Sequence, residues 1–286
     1  MKKYIAFLIL ALANSQFHAQ TVNEPKDHPA KWSQPYEPFR VAGNLYYVGT
    51  YDLASYLIVT NKGNILINTG LADSLPIIKN NIKKLGFNYK DTKILLLTQA
   101  HYDHLGAMAA IKKETGAKLY VDQADADVLK SGGKSDYEMG KYGVTFAPIN
   151  PDYILKDKDL ITLGDTKLTM LHHPGHTKGS CSYLFETKDR TRKYKVLIAN
   201  MPTIIIDKKF SEVTSYPTIQ KDYEYTLREM KKLNFDIWVA SHASQFDLHK
   251  KHQPKDSYNP EVFRNKKEYI DEIDSLEKEY LDKLKE

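Results

Sequence analysis

The sequence predicts an α/β fold with mixed sheets, and three observations carry that expectation. Short β-branched apolar runs alternate with amphipathic helical segments, some strand segments follow one another directly, and glycines and prolines punctuate the junctions. The runs 56–59, 65–67, 94–97, 196–199 and 237–240 have strand length and composition. Between them, Leu75, Ile78, Ile82 and Leu85 recur at helical spacing and stop at Gly86, and Tyr223, Leu227 and Met230 repeat the pattern. Consecutive strand segments over 44–67 and 153–199 read as hairpins, which argues against a purely parallel doubly wound sheet.

At the N-terminus, Lys2 and Lys3 precede a mostly apolar run from Tyr4 to Ala13 and then small residues. That order is the signature of a secretory leader cleaved after Ser15 or Ala19, so residues 1–19 are expected to be removed and 20–286 to form one domain. The apolar run is too short to span a bilayer, and no later run is long enough. Losing the two lysines lowers the formal charge from +5 to +3, which gives no nucleic-acid footprint. The single cysteine, Cys181, excludes an intramolecular disulfide; flanked by Ser180 and Ser182 and followed by Tyr183-Leu184-Phe185, it reads as a packed strand residue. Residues 131–151, with four glycines and no periodicity, read as a long loop of the kind that often borders a site, or as a plain surface insertion. From Asn259 onward, Ile270, Ile273, Leu276, Tyr280 and Leu284 predict an amphipathic helix docked on the core.

Chemistry concentrates where strands end. After the strand 94–97 comes Gln99-Ala100-His101-Tyr102-Asp103-His104, which places imidazoles and a carboxylate, the usual nitrogen and oxygen ligands of zinc, at a strand-to-helix junction. Asp103 alone would also serve as a helix N-cap; two histidines within two residues of it make the ligand reading stronger. A second junction, His172-His173-Pro174-Gly175-His176-Thr177, mounts His176 on a tight loop. His242 follows the run 237–240. His18, His28, His172, His249 and His252 lack such context and read as surface or supporting residues.

These motifs, His-x-Asp-His, then His-Pro-Gly-His-Thr-x-Gly-Ser, then a late strand-end histidine, resemble the metallo-β-lactamase superfamily over nearly the whole mature chain. Gln-x-His-x-Asp-His together with Asn200-Met201-Pro202 resembles its third subclass, and within it the GOB type. The resemblance implies an αββα sandwich, a periplasmic location, and hydrolysis of penicillins, cephalosporins and carbapenems. It also implies one zinc position at Asp103, His104 and His242 and another at Gln99, His101 and His176. Gln99 departs from the family's usual histidine; a neutral amide binds zinc less well than imidazole, so that second position should be the weaker. Where many relatives carry a metal-bridging residue, Asn200 and Met201 stand, and neither bridges metals well.

The expected chemistry is attack of zinc-activated water on the lactam carbonyl, with no covalent enzyme intermediate. Thr203 is a candidate anchor for the substrate carboxylate, and Tyr51 a candidate for the mouth of the site. The chain is expected to act as a monomer on small molecules. Two other readings stand beside this one: a hydrolase of lactones, thiolesters or phosphodiesters on the same fold, and a zinc-binding protein without catalysis.

Overall fold

A computed structural model describes residues 22–286, so the expected leader lies outside the described residues. Seven strands form one sheet in chain order: β1 (Phe39–Ala42), β2 (Leu45–Tyr47), β3 (Tyr56–Thr60), β4 (Gly63–Ile67), β5 (Thr92–Leu96), β6 (Lys118–Asp122) and β7 (Tyr153–Leu155). The first four run antiparallel, as the hairpin pattern predicts, and β4 to β7 run parallel. A second sheet contains β8 (Leu160–Leu163), β9 (Thr166–His172), β10 (Cys181–Lys188), β11 (Lys193–Ala199) and β12 (Ile237–Ala240), antiparallel except for the last pair. The helices are α1 (Leu75–Lys84), α2 (Tyr102–Leu105), α3 (Met108–Thr115), α4 (Ala126–Ser131), α5 (Ile219–Lys231), α6 (Leu248–Lys251) and α7 (Lys266–Lys283).

Side chains alternate across a strand, so one apolar run feeds two layers. In β4 and β5, Ile65, Ile67, Ile94 and Leu96 face the core shared with Leu168, Met170, Tyr183 and Phe185 of the second sheet. Leu66, Leu95 and Leu97 face the opposite way, onto Ile78 and Ile82 of α1 and Met108 and Ile111 of α3. On the outer face of the second sheet, the 3.6-residue stripe of α5 buries Tyr223, Leu227 and Met230, and α7 buries Tyr269, Ile273, Leu276 and Tyr280. The result is an αββα sandwich, the architecture expected from the sequence.

The predicted boundaries need small corrections. The loop after α4 contains a 3-10 turn, Met139–Tyr142, which local sequence periodicity is too short to reveal. Among the described residues, no helix is long and apolar enough to cross a membrane.

Cys181 is 1% exposed at the start of β10, where its thiol donates to the Leu97 carbonyl at 3.3 Å. Burial pushes the thiol well above its usual pKa, so it is a packing group and not a thiolate. Cys181→Ser keeps a donor facing Leu97 and should cost about 1 kcal/mol of stability with turnover per folded molecule unchanged; loss of bound metal in that variant would contradict the packing role.

Candidate metal centre

The histidine-bearing loops leave the two sheets at the same end of the sandwich. Parallel pairing of β4 with β5 and of β11 with β12 sets the strand ends side by side, an arrangement in which α/β folds gather ligands. Backbone bonds then tie the sheets across the site: Cys181 N donates to Thr98 O at 2.8 Å and Ala54 N to Ser241 O at 3.1 Å. Asn68, in a left-handed conformation after β4, fixes the start of the first ligand loop; its Oδ1 accepts from Thr98 N at 2.9 Å and its Nδ2 donates to Thr98 Oγ1 at 3.0 Å.

Asp103, His104 and His242 converge. Asp103 Oδ2 lies 3.4 Å from His104 Nε2 and 3.4 Å from His242 Nε2, and the three ligand atoms fall within 4.8 Å of one another. A tetrahedral ion with bonds of about 2.0–2.1 Å spaces its ligand atoms about 3.3–3.4 Å apart, so these contacts match such an ion. The buried His104 ring supports the same conclusion, since neither of its nitrogens has a hydrogen-bond partner, an omission that buried polar groups rarely tolerate without a ligand. Asp103 sits inside the first turn of α2, and the N-cap position belongs to His101. The capping alternative for Asp103 therefore does not hold.

His101 and His176 form a second group. His101 Nδ1 faces His176 Nε2 at 3.2 Å. His176 Nδ1 lies 2.8 Å from the Thr203 carbonyl; a carbonyl only accepts, so Nδ1 carries the proton and Nε2 presents its lone pair. Gln99 is buried two residues before His101 on the same loop.

The electrostatics follow the geometry. Burial raises the Asp103 carboxyl, but His104 and His242 outweigh it and hold the group well below its usual range. Burial lowers His242, yet Asp103 and Asp52 bring it up to about 9. Burial and the neighbouring His101 push His176 down to about 3. His242 and His176 thus stand in different charge environments.

Three carboxylates that the sequence does not mark brace these ligands. Asp52 Oδ2 lies 3.7 Å from His242 Nδ1 and also takes Trp32 Nε1 at 3.1 Å and Lys31 Nζ at 3.0 Å. Asp136 Oδ2 lies 3.5 Å from His101 Nε2. Asp125 accepts from Ala100 N at 2.9 Å, Thr177 Oγ1 at 2.7 Å and Gly179 N at 2.8 Å, so it joins the His101 loop to the His176 loop. Gly179 must be glycine there, since a Cβ would lie 2.6 Å from Asp125 N. Each carboxylate is remote in sequence from the ligands it braces, and no motif could have flagged it.

The other expected residues divide between the site and its surroundings. Tyr51 does not join the metal ligands; its ring stacks on His249 at 3.7 Å and lines a separate cleft with Tyr36 and Pro76, because His249 Nε2 donates to the Tyr51 carbonyl at 2.8 Å and holds the rings together. Met201 is buried in the core, and Asn200 Oδ1 accepts from Ser241 Oγ at 3.4 Å. Thr203 is at the site, holding His176 through its carbonyl and placing its hydroxyl 3.0 Å from the same nitrogen. His172 pairs with Asp122 at 2.7 Å and His173 with Ser182 Oγ at 2.8 Å.

Residues 50–190 match the model of the metallo-beta-lactamase superfamily. Among solved structures, the metallo-beta-lactamase GOB-18 from Elizabethkingia meningoseptica is 71% identical, covers 93% of this chain and 99% of its own, and superposes with a TM-score of 0.93. The class B3 di-zinc metallo-beta-lactamase LRA-12 from an Alaskan soil metagenome is 66% identical over 92% of this chain and 100% of its own, with a TM-score of 0.91. Curated relatives are more distant: the acyl-coenzyme A thioesterase MBLAC2 of Gallus gallus is 24% identical over 49% of this chain and 51% of its own length. The chain spans about half the length of several curated relatives it matches.

Removing Asp125 would strand two buried backbone donors, Ala100 N and Gly179 N, each worth about 1–3 kcal/mol when left unsatisfied, and would leave the Thr177 hydroxyl only Ser180 Oγ. Asp125→Ala should therefore lower stability by roughly 3 kcal/mol and weaken metal retention although it touches no ligand. Thermal unfolding and metal content after dialysis check both effects; an unchanged melting temperature would show that the two loops do not depend on this carboxylate.

Proposed function

The chain belongs to the metallo-β-lactamase superfamily and groups with its third-subclass (B3) β-lactamases, and on that premise we propose that it is an exported zinc hydrolase that opens the β-lactam ring. One observation carries the proposal: the Asp103, His104 and His242 triangle, spaced for a tetrahedral ion, in a chain 71% identical to a solved β-lactamase along 99% of that protein. The substrates are penicillins, cephalosporins and carbapenems, met in the periplasm by a monomer freed of a leader cleaved after Ser15 or Ala19.

Asp103, His104 and His242 hold zinc, and Asp52 keeps the His242 ring turned so that Nε2 faces Asp103. Zinc bound there supplies a Lewis acid for the lactam carbonyl and lowers the pKa of water to near neutrality. Gln99, His101 and His176 form the second and weaker position, where a neutral amide replaces an imidazole. Asn200 and Met201 offer no bridging anion between the two positions. The Thr203 carbonyl accepts the hydrogen bond of His176 Nδ1–H, and the Thr203 hydroxyl, 3.0 Å from the same nitrogen, is the polar anchor for the substrate carboxylate. Cys181 is buried and its thiol is not ionised, so it supplies no nucleophile.

Purified protein should hydrolyse a carbapenem, lose that activity to a chelator, and regain it with added zinc. Zinc-loaded protein that opens thiolesters or lactones but no lactam would overturn the assignment in favour of another hydrolase of this fold; zinc binding without any hydrolysis would favour a metal-binding role.

Gln99→His rebuilds an all-imidazole second position and should retain a second zinc through dialysis that the parent loses. Gln99→Ala should keep substantial turnover if the Asp103 position is sufficient. Two tightly held zincs in the parent, lost from Gln99→Ala together with its activity, would show that Gln99 is an essential ligand.

A further inference from the structure

We infer that Asp136 is a positioning residue for the second cation position, orienting His101 and supplying the negative charge that the Gln99 amide lacks; this rests on the proposal that Gln99, His101 and His176 form that position. The His101 ring has two sides. Its Nδ1 faces His176 Nε2 at 3.2 Å, toward the shared position. Its Nε2 is buried without a hydrogen-bond partner, and Asp136 Oδ2 approaches it at 3.5 Å. Both side chains are 3% exposed, and a buried carboxylate so placed persists only where a cationic or donating partner compensates it.

The two Asp136 oxygens divide their work. Oδ1 accepts from Glu138 N at 2.9 Å and Met139 N at 2.6 Å, which ties down the chain as it enters the 3-10 turn. Oδ2 is left for His101. The next residue reaches the other imidazole ligand, for Tyr137 Oη donates to His176 O at 3.0 Å. Two consecutive residues of one loop therefore fasten both histidines. The loop is anchored at its far end by Asn23, which exchanges backbone bonds with Thr145 at 3.1 and 3.0 Å and donates its Nδ2 to Gly143 O at 2.8 Å.

An imidazole whose distal N–H points at a carboxylate is fixed in one tautomer and is a more basic ligand through the other nitrogen. That support counts most where one of three ligands is a weak neutral donor. The rival role is a loop tie and nothing more. Asp136→Asn separates the two, because its amide oxygen keeps the tie toward Glu138 and Met139 while the anion opposite His101 is gone.

The test is titration of metal-free, leader-free protein with cobalt(II), followed by visible absorption and by direct metal analysis, with melting temperature as the control. In the parent, two binding phases are expected, and His101→Ala should remove the weaker. Asp136→Asn should weaken that phase about 10- to 100-fold, alter its absorption band, and leave both the stronger phase and the metal-free melting temperature unchanged. An isotherm identical to the parent's would overturn the inference and reduce Asp136 to a loop tie. Loss of both phases in step with a lower melting temperature would also overturn it. A parent with one phase that His101→Ala leaves intact would instead remove the second position itself, and the inference with it; that failure shows in the parent and not in the Asp136 variant.

Discussion

The arrangement depends on one buried carboxylate that binds no metal in the proposed scheme. Asp125 collects donors from Ala100, Thr177 and Gly179 and so sets the distance between two loops that leave different sheets. Burial raises its pKa to about 6 against the opposing pull of Thr177 and Gly179, so at neutral pH it remains the anionic acceptor that those donors require. Without that link, the loops that carry His101 and His176 would lose the hydrogen bonds that Ala100, Thr177 and Gly179 share on one acceptor. The convergence of ligands is therefore a property of hydrogen bonding beneath the site as much as of the ligands themselves.

The same logic recurs around the other candidate ligands. Asp52 braces His242, Asp136 approaches His101, and a carbonyl holds His176. Burying so many polar groups is costly unless each is satisfied. Two of these braces have a second role: Asp52 takes Trp32 and Lys31 from the N-terminal stretch, and Asp136 accepts from Glu138 N in its own loop. Ligand orientation and segment docking thereby share one network of polar contacts.

The sheets supply what the network needs, a fixed set of strand ends. β4, β5, β11 and β12 are buried on both faces, and their near-continuous apolar content reflects that position. Helices on the two outer faces close the sandwich, and the end of the strands is left to the ligand loops.

Much of this was written in local sequence. Periodicities of two and 3.6 residues marked the central strands, α1, α5 and α7, because such patterns report which face is buried wherever the element lies. The candidate ligands were legible because Gln99 through His104 and His173 through His176 pack several donor types into a few residues at a strand end, a local concentration that needs no knowledge of the fold. The tertiary structure alone decided the rest. Asp52, Asp125 and Asp136 are ordinary acidic residues in sequence, and they become braces only when loops 25 to more than 100 residues apart are brought within hydrogen-bond reach. Tyr51 followed the opposite course: adjacent to Asp52 in sequence, it was turned away by its stacking on His249. Residue type and spacing fix which groups are able to bind a metal, but which way each ring faces is set by partners distant along the chain, and that information exists only in the folded protein.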